Sequence, residues 1–377
     1  MPRLNGRTIG LRRRVLRELR GMGFRTRSGV LVPPDLSAKQ AVRELHHRQR
    51  VNLLGRNARF LEAWEERLIS HFASGTEVEA DRIRPEVEVV RSEEQTALFR
   101  YATLSWSVPV SQGFGRRTRF LVRDKQNGKL IGIFALGDPV YNLTARDQVI
   151  GWDVTQRNER LYNVLDAFIL GAVPPYRALL GGKLVAMAAL SEQTQAFIER
   201  KYRGTITEIQ KVTKRPRPVL ITTSSALGRS SLYNRLRYCE RLLYVPVGYS
   251  RGWGHFHFSA DLFAEMCDLL NDDGGVPSHR FGNGPNWRMR TLKAALGKLQ
   301  LDSDLLHHGV RREIFLAPLA KNWQAFLLGQ AERCQWYRFD LDDLARFFRE
   351  RWAIGRATRD SSYLDFQPKD MRIETPN

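Results

Sequence analysis

The chain has 377 residues and is 42% hydrophobic, so it can bury a sizeable core and is not an intrinsically disordered protein. Sixty Lys and Arg against 40 Asp and Glu give a net charge of +20, which attracts polyanions such as phosphate backbones. A basic protein with a merely solvated surface is the alternative. The widely separated Cys239, Cys267 and Cys334 indicate free thiols in a reducing compartment. No apolar run reaches about 18 residues, so we expect a cytoplasmic protein without a membrane span.

The first 30 residues form a basic segment that we predict to be an N-terminal arm. Val15 and Leu19 are four residues apart, which is enough for a short helix, and the one acidic residue is Glu18. Such arms commonly contact phosphates, although a solubilising tail fits equally well. We expect its removal to weaken binding without unfolding the rest. The arginines are Arg3, Arg7, Arg12, Arg13, Arg14, Arg17, Arg20, Arg25 and Arg27, of which Arg12, Arg13 and Arg14 are the candidate phosphate contacts.

Residues 31–85 are predicted to be helical, because Leu54, Leu61, Leu68 and Phe72 recur at helical spacing after a possible cap at Ser37. Residues 86–260 alternate strand and helix patterns, and residues 261–377 are predicted to be mainly helical. The sequence therefore predicts an α/β protein with a mixed central sheet flanked by helices and with helical additions at both ends. The predicted strands are 120–123, 129–136, 219–223, 242–247 and 256–258, and residues 164–173 are a strand or a short helix. The predicted helices of this core are 183–202 and 230–238.

A strand followed by a glycine-rich helix start is a candidate anion site. Gly181 and Gly182 permit close backbone approach, a helix N-terminus offers free N–H groups, and Arg177 and Lys183 add charge. A second strand ends in the hydroxyl-rich segment 222–231, where we predict that Ser230 begins another helix. If the two strands are adjacent and parallel, both helix starts converge on one anion-accepting cleft. Ordinary turns with helix capping are the alternative.

Residues 200–241 form a second basic segment, in which tyrosines are interleaved with Lys and Arg. Basic residues beside aromatic rings are typical of surfaces that bind phosphates and stack bases, although a solvated face remains the alternative. The candidate nucleic-acid contacts here are Lys211, Lys214, Arg215, Arg217, Arg229 and Arg235.

Two further patterns could hold a metal ion. His255 and His257 would point to the same face of a strand, but no third ligand has defining spacing. A metal-dependent nuclease would need carboxylates that converge on an ion, and Asp138, Asp147 and Asp153 are the candidates. The pair Arg146-Asp147 could equally be an ion pair. The sequence therefore assigns no metal ligand.

Several ordered phrases together resemble the DruA family of Druantia anti-phage defence proteins, over about residues 20–330. The resemblance implies a role in prokaryotic defence against phage beside a large helicase-like partner, and it supplies no established catalytic activity. The phrases are residues 106–110 (WSVPV), 113–117 (GFGRR), 130–132 (LIG), 137–140 (GDPV), 146–147 (RD), 150–152 (IGW), 181–184 (GGKL), 222–231 (TTSSALGRSS) and 284–288 (GPNWR).

The core also resembles the GNAT superfamily of acyl-CoA-dependent N-acetyltransferases. Arg177, Gly181 and Gly182 stand in the frame of that superfamily's pyrophosphate loop, Gln/Arg-x-x-Gly-x-Gly/Ala, with Leu180 in place of the first glycine. Tyr233 falls where the superfamily commonly has a tyrosine that acts as general acid. The resemblance implies a GNAT-like sheet, and the fold could persist without the chemistry.

The leading hypothesis is a nucleic-acid-binding subunit of a defence complex, with DNA favoured over RNA. An acyl-CoA-dependent N-acyltransferase, with Arg177, Gly181 and Gly182 on the diphosphate and Tyr233 as acid, is the alternative. A metal-dependent nuclease is the second alternative. Neither a cofactor nor an enzymatic activity is assigned.

Overall fold

The computed structural model describes residues 5–27, 30–110, 115–207, 211–271 and 287–374. Gly113, Phe114 and residues 284–286 of the sequence phrases therefore lie outside the described residues. The N-terminal part contains α1 (Gly6–Gly21), β1 (Arg25–Arg27), β2 (Val30–Val32), α2 (Lys39–Arg56) and α3 (Ala58–Ile69). The central part contains β3 (Pro85–Val89), α4 (Glu93–Leu104), β4 (Arg117–Asp124), β5 (Leu130–Gly137), α5 (Thr144–Ile150), α6 (Val154–Arg160), β6 (Val164–Ala172), α7 (Gly181–Leu190), α8 (Glu192–Tyr202) and β7 (Leu220–Ser224). The C-terminal part contains β8 (Arg237–Tyr238), β9 (Arg241–Leu242), β10 (Val245–Tyr249), α9 (Ala260–Asn271), α10 (Trp287–Lys298), β11 (Glu313–Pro318), α11 (Trp323–Leu327), α12 (Leu341–Phe348) and α13 (Ile354–Arg359).

Seven strands form the central sheet in the order β10-β11-β7-β6-β5-β4-β3. β6 and β7 pair in parallel, and the other described pairs of this sheet are antiparallel. The fold is thus the predicted α/β arrangement of a mixed sheet flanked by helices. β11 comes from the region predicted to be mainly helical, so the sheet crosses the predicted boundary at residue 260. The sheet is compatible with the GNAT-like type, which stays a prediction.

The parallel pairing of β6 with β7 determines where the carboxyl ends of these two strands lie. Pairing runs from Val164 with Leu220 to Asp166 with Thr222, after which β6 continues alone beside β5 as far as Ala172. Thr223 still donates its hydroxyl hydrogen to the Ala167 carbonyl at 2.8 Å. The carboxyl ends of both strands therefore lie at the same edge of the sheet, as the anion-site hypothesis required.

Helices cover both faces of the sheet. α7 is almost entirely buried, and its Leu184 and Val185 belong to the same core cluster as Phe134 and Leu165 of the sheet. On the opposite face, Leu98 of α4 and Leu68 of α3 pack in a cluster with Ile133 of β5. The hairpin between β4 and β5 turns at Asn127-Gly128, as predicted, and Gly128 adopts a φ of +72° there.

The N-terminal segment is a packed helix rather than an arm, so that prediction was wrong. Leu11, Val15 and Leu19 recur every four residues along α1 and are buried in a cluster with residues of α9 and α10, such as Met266 and Leu292. Two or three apolar side chains on one stripe are enough, because α9 and α10 present a complementary apolar face. We infer that α1 contributes to the core of the protein.

The helix predicted at residues 230–238 is also absent. A single 3₁₀ turn at Tyr233–Arg235 is followed by the short hairpin β8–β9. The rings of Tyr244 and Phe315 hold Tyr233 in the core, with centroids 4.9 and 5.0 Å away, and Leu236 is buried too. The chain instead turns back at Cys239 and Glu240, whose φ values of +46° and +59° are incompatible with a continuing right-handed helix.

Two neighbouring predictions need smaller corrections. The predicted strand 242–247 is displaced to β10, and residues 256–258 form a turn instead of a strand. The predicted long helix 183–202 is divided into α7 and α8 at Ser191, whose hydroxyl accepts a hydrogen bond from the Thr194 N–H.

Replacing Leu19 with alanine should lower the free energy of unfolding by about 2–5 kcal/mol, because the change leaves a cavity between α1 and its neighbours. Urea unfolding at constant m-value measures this loss. The matched control is Arg13→Ala in the same helix, which removes an exposed side chain and should change the stability by less than about 0.5 kcal/mol. Equal stability of the two variants would show that α1 is a detachable arm after all.

Candidate nucleic-acid interface and anion site

α1 presents an exposed row of arginines opposite its buried stripe. Arg13, Arg17 and Arg20 stand at positions i, i+4 and i+7, and all three are exposed. In the described part of the chain no carboxylate pairs with any of them. Three positive charges are therefore held on one face of a packed helix, and none of them is ion-paired within the described residues.

The other two predicted arm contacts serve the fold. Arg12 donates to the carbonyl oxygens of Leu299 and Gln300, which follow α10. Arg14 forms ion pairs with Glu18 at 3.2 Å and with Glu265 of α9. Of the three predicted residues, Arg13 is thus the one that remains available to a ligand.

An open cleft of about 790 Å³ lies between α1 and α2 beside the row of arginines. Its one carboxylate, Glu18, already pairs with Arg14 and lies 3.9 Å from Arg48. The cleft therefore keeps a positive potential. Its lining residues are Arg14, Arg17, Glu18, Gly21, His47, Arg48 and Val51.

Among the described residues of the second basic segment, 200–241, some basic side chains bind other parts of the protein. Lys214 donates to the Glu159 carbonyl at 2.8 Å, and Arg217 contacts Gln195 and stacks 3.8 Å from the Trp336 ring. Those two side chains attach the segment to the body of the protein. The side chains of Lys211, Arg215, Arg229 and Arg235 are exposed.

The glycine-rich start of α7 is packed against the protein itself. A Cβ on Gly181 would lie 2.7 Å from the Tyr176 carbonyl oxygen, and one on Gly182 would lie 2.8 Å from Leu232 Cδ1. The N–H of Gly181 donates to the Tyr176 carbonyl, and the N–H of Lys183 donates to the Leu180 carbonyl, both at 2.8 Å. The N–H groups of Gly181 and Lys183, which we expected to be free, are therefore hydrogen-bonded to the protein's own carbonyl groups.

Arg177 and Ser230 bind groups within the protein instead of lining an anion-accepting cleft with Lys183. The Arg177 guanidinium donates back to the Ala172 carbonyl at 3.2 Å. Ser230 caps the 3₁₀ turn by accepting from the Tyr233 N–H, and its own N–H donates to the Glu313 carboxylate at 2.9 Å. A carboxylate at Ser230 disfavours an anion there, so the cleft of the original hypothesis needs revision.

Of Arg177, Lys183 and Ser230, Lys183 has the surroundings that suit an anion. Its side chain is buried, and Nζ lies 3.4 Å from the Leu232 carbonyl oxygen and 4.8 Å from the centre of the Trp352 ring. Burial, together with the charges of Arg235 and Arg351, lowers the pKa of Lys183 to about 8. Sequence reasoning missed Arg351 and Trp352, since nothing local connects them with Lys183.

Tyr233 is poorly placed for the general-acid role that the GNAT resemblance implies. Its ring is buried between two others, and its hydroxyl hydrogen-bonds to Thr223. Burial raises the pKa of Tyr233 to about 12. A proton donor must reach its substrate, and here the hydroxyl is committed to the core.

The three candidate nuclease carboxylates do not converge. Asp138 binds the Arg116 side chain, and Asp153 caps α6 by accepting from the Gln156 N–H. Asp147 accepts from Arg146, Arg157 and the Trp152 indole N–H. Within the described ranges, no three His, Cys, Asp or Glu side chains are grouped so that they could hold a metal ion.

Of the two candidate histidines, His257 lies in a buried cluster with His46 and His308. His257 donates its Nε2–H to the Leu305 carbonyl oxygen at 2.7 Å, and its ring lies 5.7 Å from that of His308. His46 of α2 stacks on Phe256 at 4.2 Å. Burial lowers the pKa of His46 and of His257 to about 4 and that of His308 to about 3. These rings are neutral parts of the core near neutral pH.

These features define a basic α/β protein with a mixed seven-stranded sheet and exposed cationic surfaces. The chain belongs to the DruA family, whose sequence model, described as Druantia protein DruA, matches residues 37–329. It is 43% identical over 373 residues to the Druantia protein DruA of Escherichia coli (strain UMEA 4076-1), covering 98% of this chain and 92% of that protein. No solved structure matches the chain. Family membership supports a role in anti-phage defence, as the sequence phrases predicted.

The helices described here do not include one that is both long and apolar enough to cross a membrane.

Acid should destabilise the protein well before ordinary carboxylates titrate. The folded-state pKa values of His46, His257 and His308 lie below the unfolded value of about 6.5, so the unfolded chain binds protons first as the pH falls. The stabilisation is complete above about pH 6.5 and is lost progressively toward pH 4, by roughly 3 kcal/mol for each of the three histidines. Urea unfolding between about pH 7 and 5 measures it.

The variant His257→Gln should show a shallower dependence of the free energy of unfolding on pH than the wild-type protein. His47→Gln, at an exposed position of α2, is the matched control and should keep the wild-type dependence. An unchanged slope in the His257 variant would contradict the assignment of this sensitivity to the buried cluster.

Proposed function

We propose that the protein is the nucleic-acid-binding component of an anti-phage defence system, and that the exposed face of α1 is its main contact surface. Membership of the DruA family supports the defence role. The observation that carries the binding role is the row Arg13, Arg17 and Arg20, which is exposed, uncompensated in the described chain and rigidly supported.

The geometry of the row suits a phosphate backbone. From Arg13 to Arg20 the helix rises about 10 Å, which equals the axial rise of about three nucleotides of one DNA strand. Each guanidinium can donate two parallel hydrogen bonds to a phosphate. The buried stripe keeps α1 in place, so little ordering entropy is lost when a ligand binds.

The row predicts binding with little dependence on sequence, because contacts to phosphates position a nucleic acid without reading its bases. The adjacent cleft with Arg48 and His47 extends the positive surface from α1 to α2. The exposed Arg215, Arg229 and Arg235 would add further backbone contacts. We propose DNA rather than RNA as the ligand, and a helicase-like protein as the partner in the defence system.

An acyl-CoA-dependent N-acyltransferase is the second candidate, because β6 and β7 are parallel neighbours that separate after Asp166 and Thr222. The packed glycines of α7 leave little room for a diphosphate, and Tyr233 is buried. Both observations count against this candidate. Acetyl-CoA at about 100 times its dissociation constant would stabilise a true acyl-CoA site by about 2.7 kcal/mol. An unchanged melting temperature across a wide range of acetyl-CoA concentrations would reject this candidate.

Replacing Arg13, Arg17 and Arg20 together with glutamine should weaken binding of a short DNA duplex by about tenfold to a hundredfold, because charge-assisted hydrogen bonds to phosphates are lost. The loss should be equal for two duplexes of unrelated sequence. Fluorescence anisotropy at low salt measures both affinities.

The matched control is the triple variant Arg67→Gln, Arg82→Gln and Arg346→Gln. It removes the same net charge from exposed arginines that already pair with carboxylates. This control should retain nearly the affinity of the wild-type protein. If both triple variants lose affinity equally, net charge and not the α1 face governs binding, and the proposed interface is wrong.

A further inference from the structure

The surroundings of Lys183 are unfavourable for a buried ammonium group that has no anion beside it. It is 8% exposed and stands in the first turn of α7, where the helix dipole is positive. Its ammonium has three hydrogens to donate, and the acceptor recorded for it is the Leu232 carbonyl, at the long distance of 3.4 Å. In the described chain no carboxylate forms an ion pair with it.

Two more cations accompany Lys183. Arg235 belongs to the 3₁₀ turn that follows Leu232, and Arg351 precedes Trp352, whose ring lies 4.8 Å from Lys183 Nζ. Both arginines are exposed, and neither has an ion-pair partner among the residues that the structure describes. Burial is the largest cause that lowers the pKa of Lys183, and the positive charges of Arg235 and Arg351 contribute in the same direction, so that it falls to about 8.

A local irregularity of the C-terminal helix brings Trp352 to this place. Residues Arg349–Ala353 form a π-helical turn between α12 and α13, with one extra residue in the turn. Such turns are rare in helices and are frequent at functional sites. The turn places Trp352 over Lys183 while Phe348 remains buried in the core.

We infer that Lys183, Arg235 and Arg351 form a binding site for a phosphoryl group, with Trp352 as its wall. Three cations with no ion-paired carboxylate among the described residues can fully neutralise a phosphate dianion, and the guanidinium groups can each bind two of its oxygens. The anion would relieve the mutual repulsion of the three cations and supply the acceptors that the ammonium lacks. The inference is independent of the proposed role of α1.

The phosphoryl group could belong to a small phosphorylated ligand or to the backbone of a bound nucleic acid. Both sources offer the same tetrahedral oxygens to the three cations. The experiment therefore uses inorganic phosphate to test the site and a single-stranded oligonucleotide to distinguish the sources.

Inorganic phosphate should raise the melting temperature of the full chain, and the variant Lys183→Met should bind phosphate about tenfold to a hundredfold more weakly, because charge-assisted hydrogen bonds are lost. Lys369→Met, which makes the same substitution at an exposed position, should bind phosphate like the wild-type protein. Because methionine fits a buried position, the Lys183 variant should remain folded, which its own melting curve verifies.

Sulfate calorimetry in two buffers of different ionisation enthalpy gives a second readout. Sulfate keeps its charge across this pH range, so uptake of protons near pH 8 reports that Lys183 becomes fully charged on binding. The uptake should vanish in Lys183→Met, which a merely structural lysine would not cause.

Loss of phosphate binding alone in Lys183→Met would assign the site to a small phosphorylated ligand, and loss of phosphate and oligonucleotide binding together would assign it to a nucleic-acid backbone. Undiminished phosphate binding by a folded Lys183→Met variant would overturn the inference, and so would a wild-type protein whose melting temperature phosphate does not change.

Discussion

The packing of α1 on α9 and α10 is the contact on which the proposed interface depends. Leu11, Val15 and Leu19 are buried there, and burying three such side chains stabilises the contact by several kcal/mol. Because a helix has two faces, burial of this stripe directs Arg13, Arg17 and Arg20 outward together. The same residues on an unpacked arm would have to be ordered when a ligand binds, at a cost in conformational entropy.

The positive charge that the protein exposes depends on which arginines bind groups within the protein itself. Many of them donate to carbonyl groups or stack on aromatic rings, as Arg12 and Arg217 do, and these residues stabilise the fold. The carboxylates are largely engaged in ion pairs or helix caps, as Asp147 and Asp153 are. Besides exposed side chains such as Arg215 and Arg229, positive charge without an ion-pair partner among the described residues therefore lies at two places, the outer face of α1 and the surroundings of Lys183. These two places have the same sign but differ in character, since one is open and the other is partly enclosed.

The parts of the fold that the sequence predicted well depend on local signals. Asn127-Gly128 between two apolar runs indicates a hairpin wherever it occurs, and the apolar run before Pro174 indicated β6. The anion-site hypothesis assumed that β6 and β7 are adjacent and parallel, and the structure shows that they are. Their carboxyl ends lie at the edge of the sheet where α7 and Lys183 follow. The membership of the DruA family was predicted from long ordered phrases and is confirmed.

The errors arose where a distant partner decides the local structure. α1 was predicted as an arm because its own sequence is polar, and the apolar face that covers its stripe comes from α9 and α10. Residues 230–238 have hydroxyls that suit a helix cap, but the chain makes a single 3₁₀ turn at Tyr233–Arg235 and then enters the β8–β9 hairpin. Trp352 reaches Lys183 through a π-helical turn, which no spacing of residues in the sequence indicates.

The most direct test of the central claim is the salt dependence of DNA binding by the wild-type chain. If the arginine row of α1 holds a phosphate backbone, the logarithm of the association constant should fall linearly with the logarithm of salt concentration. The slope should be about −0.9 per phosphate contact, and therefore about −2.7 or steeper when the three arginines each bind one phosphate. An affinity that stays constant from low to physiological salt would contradict the account.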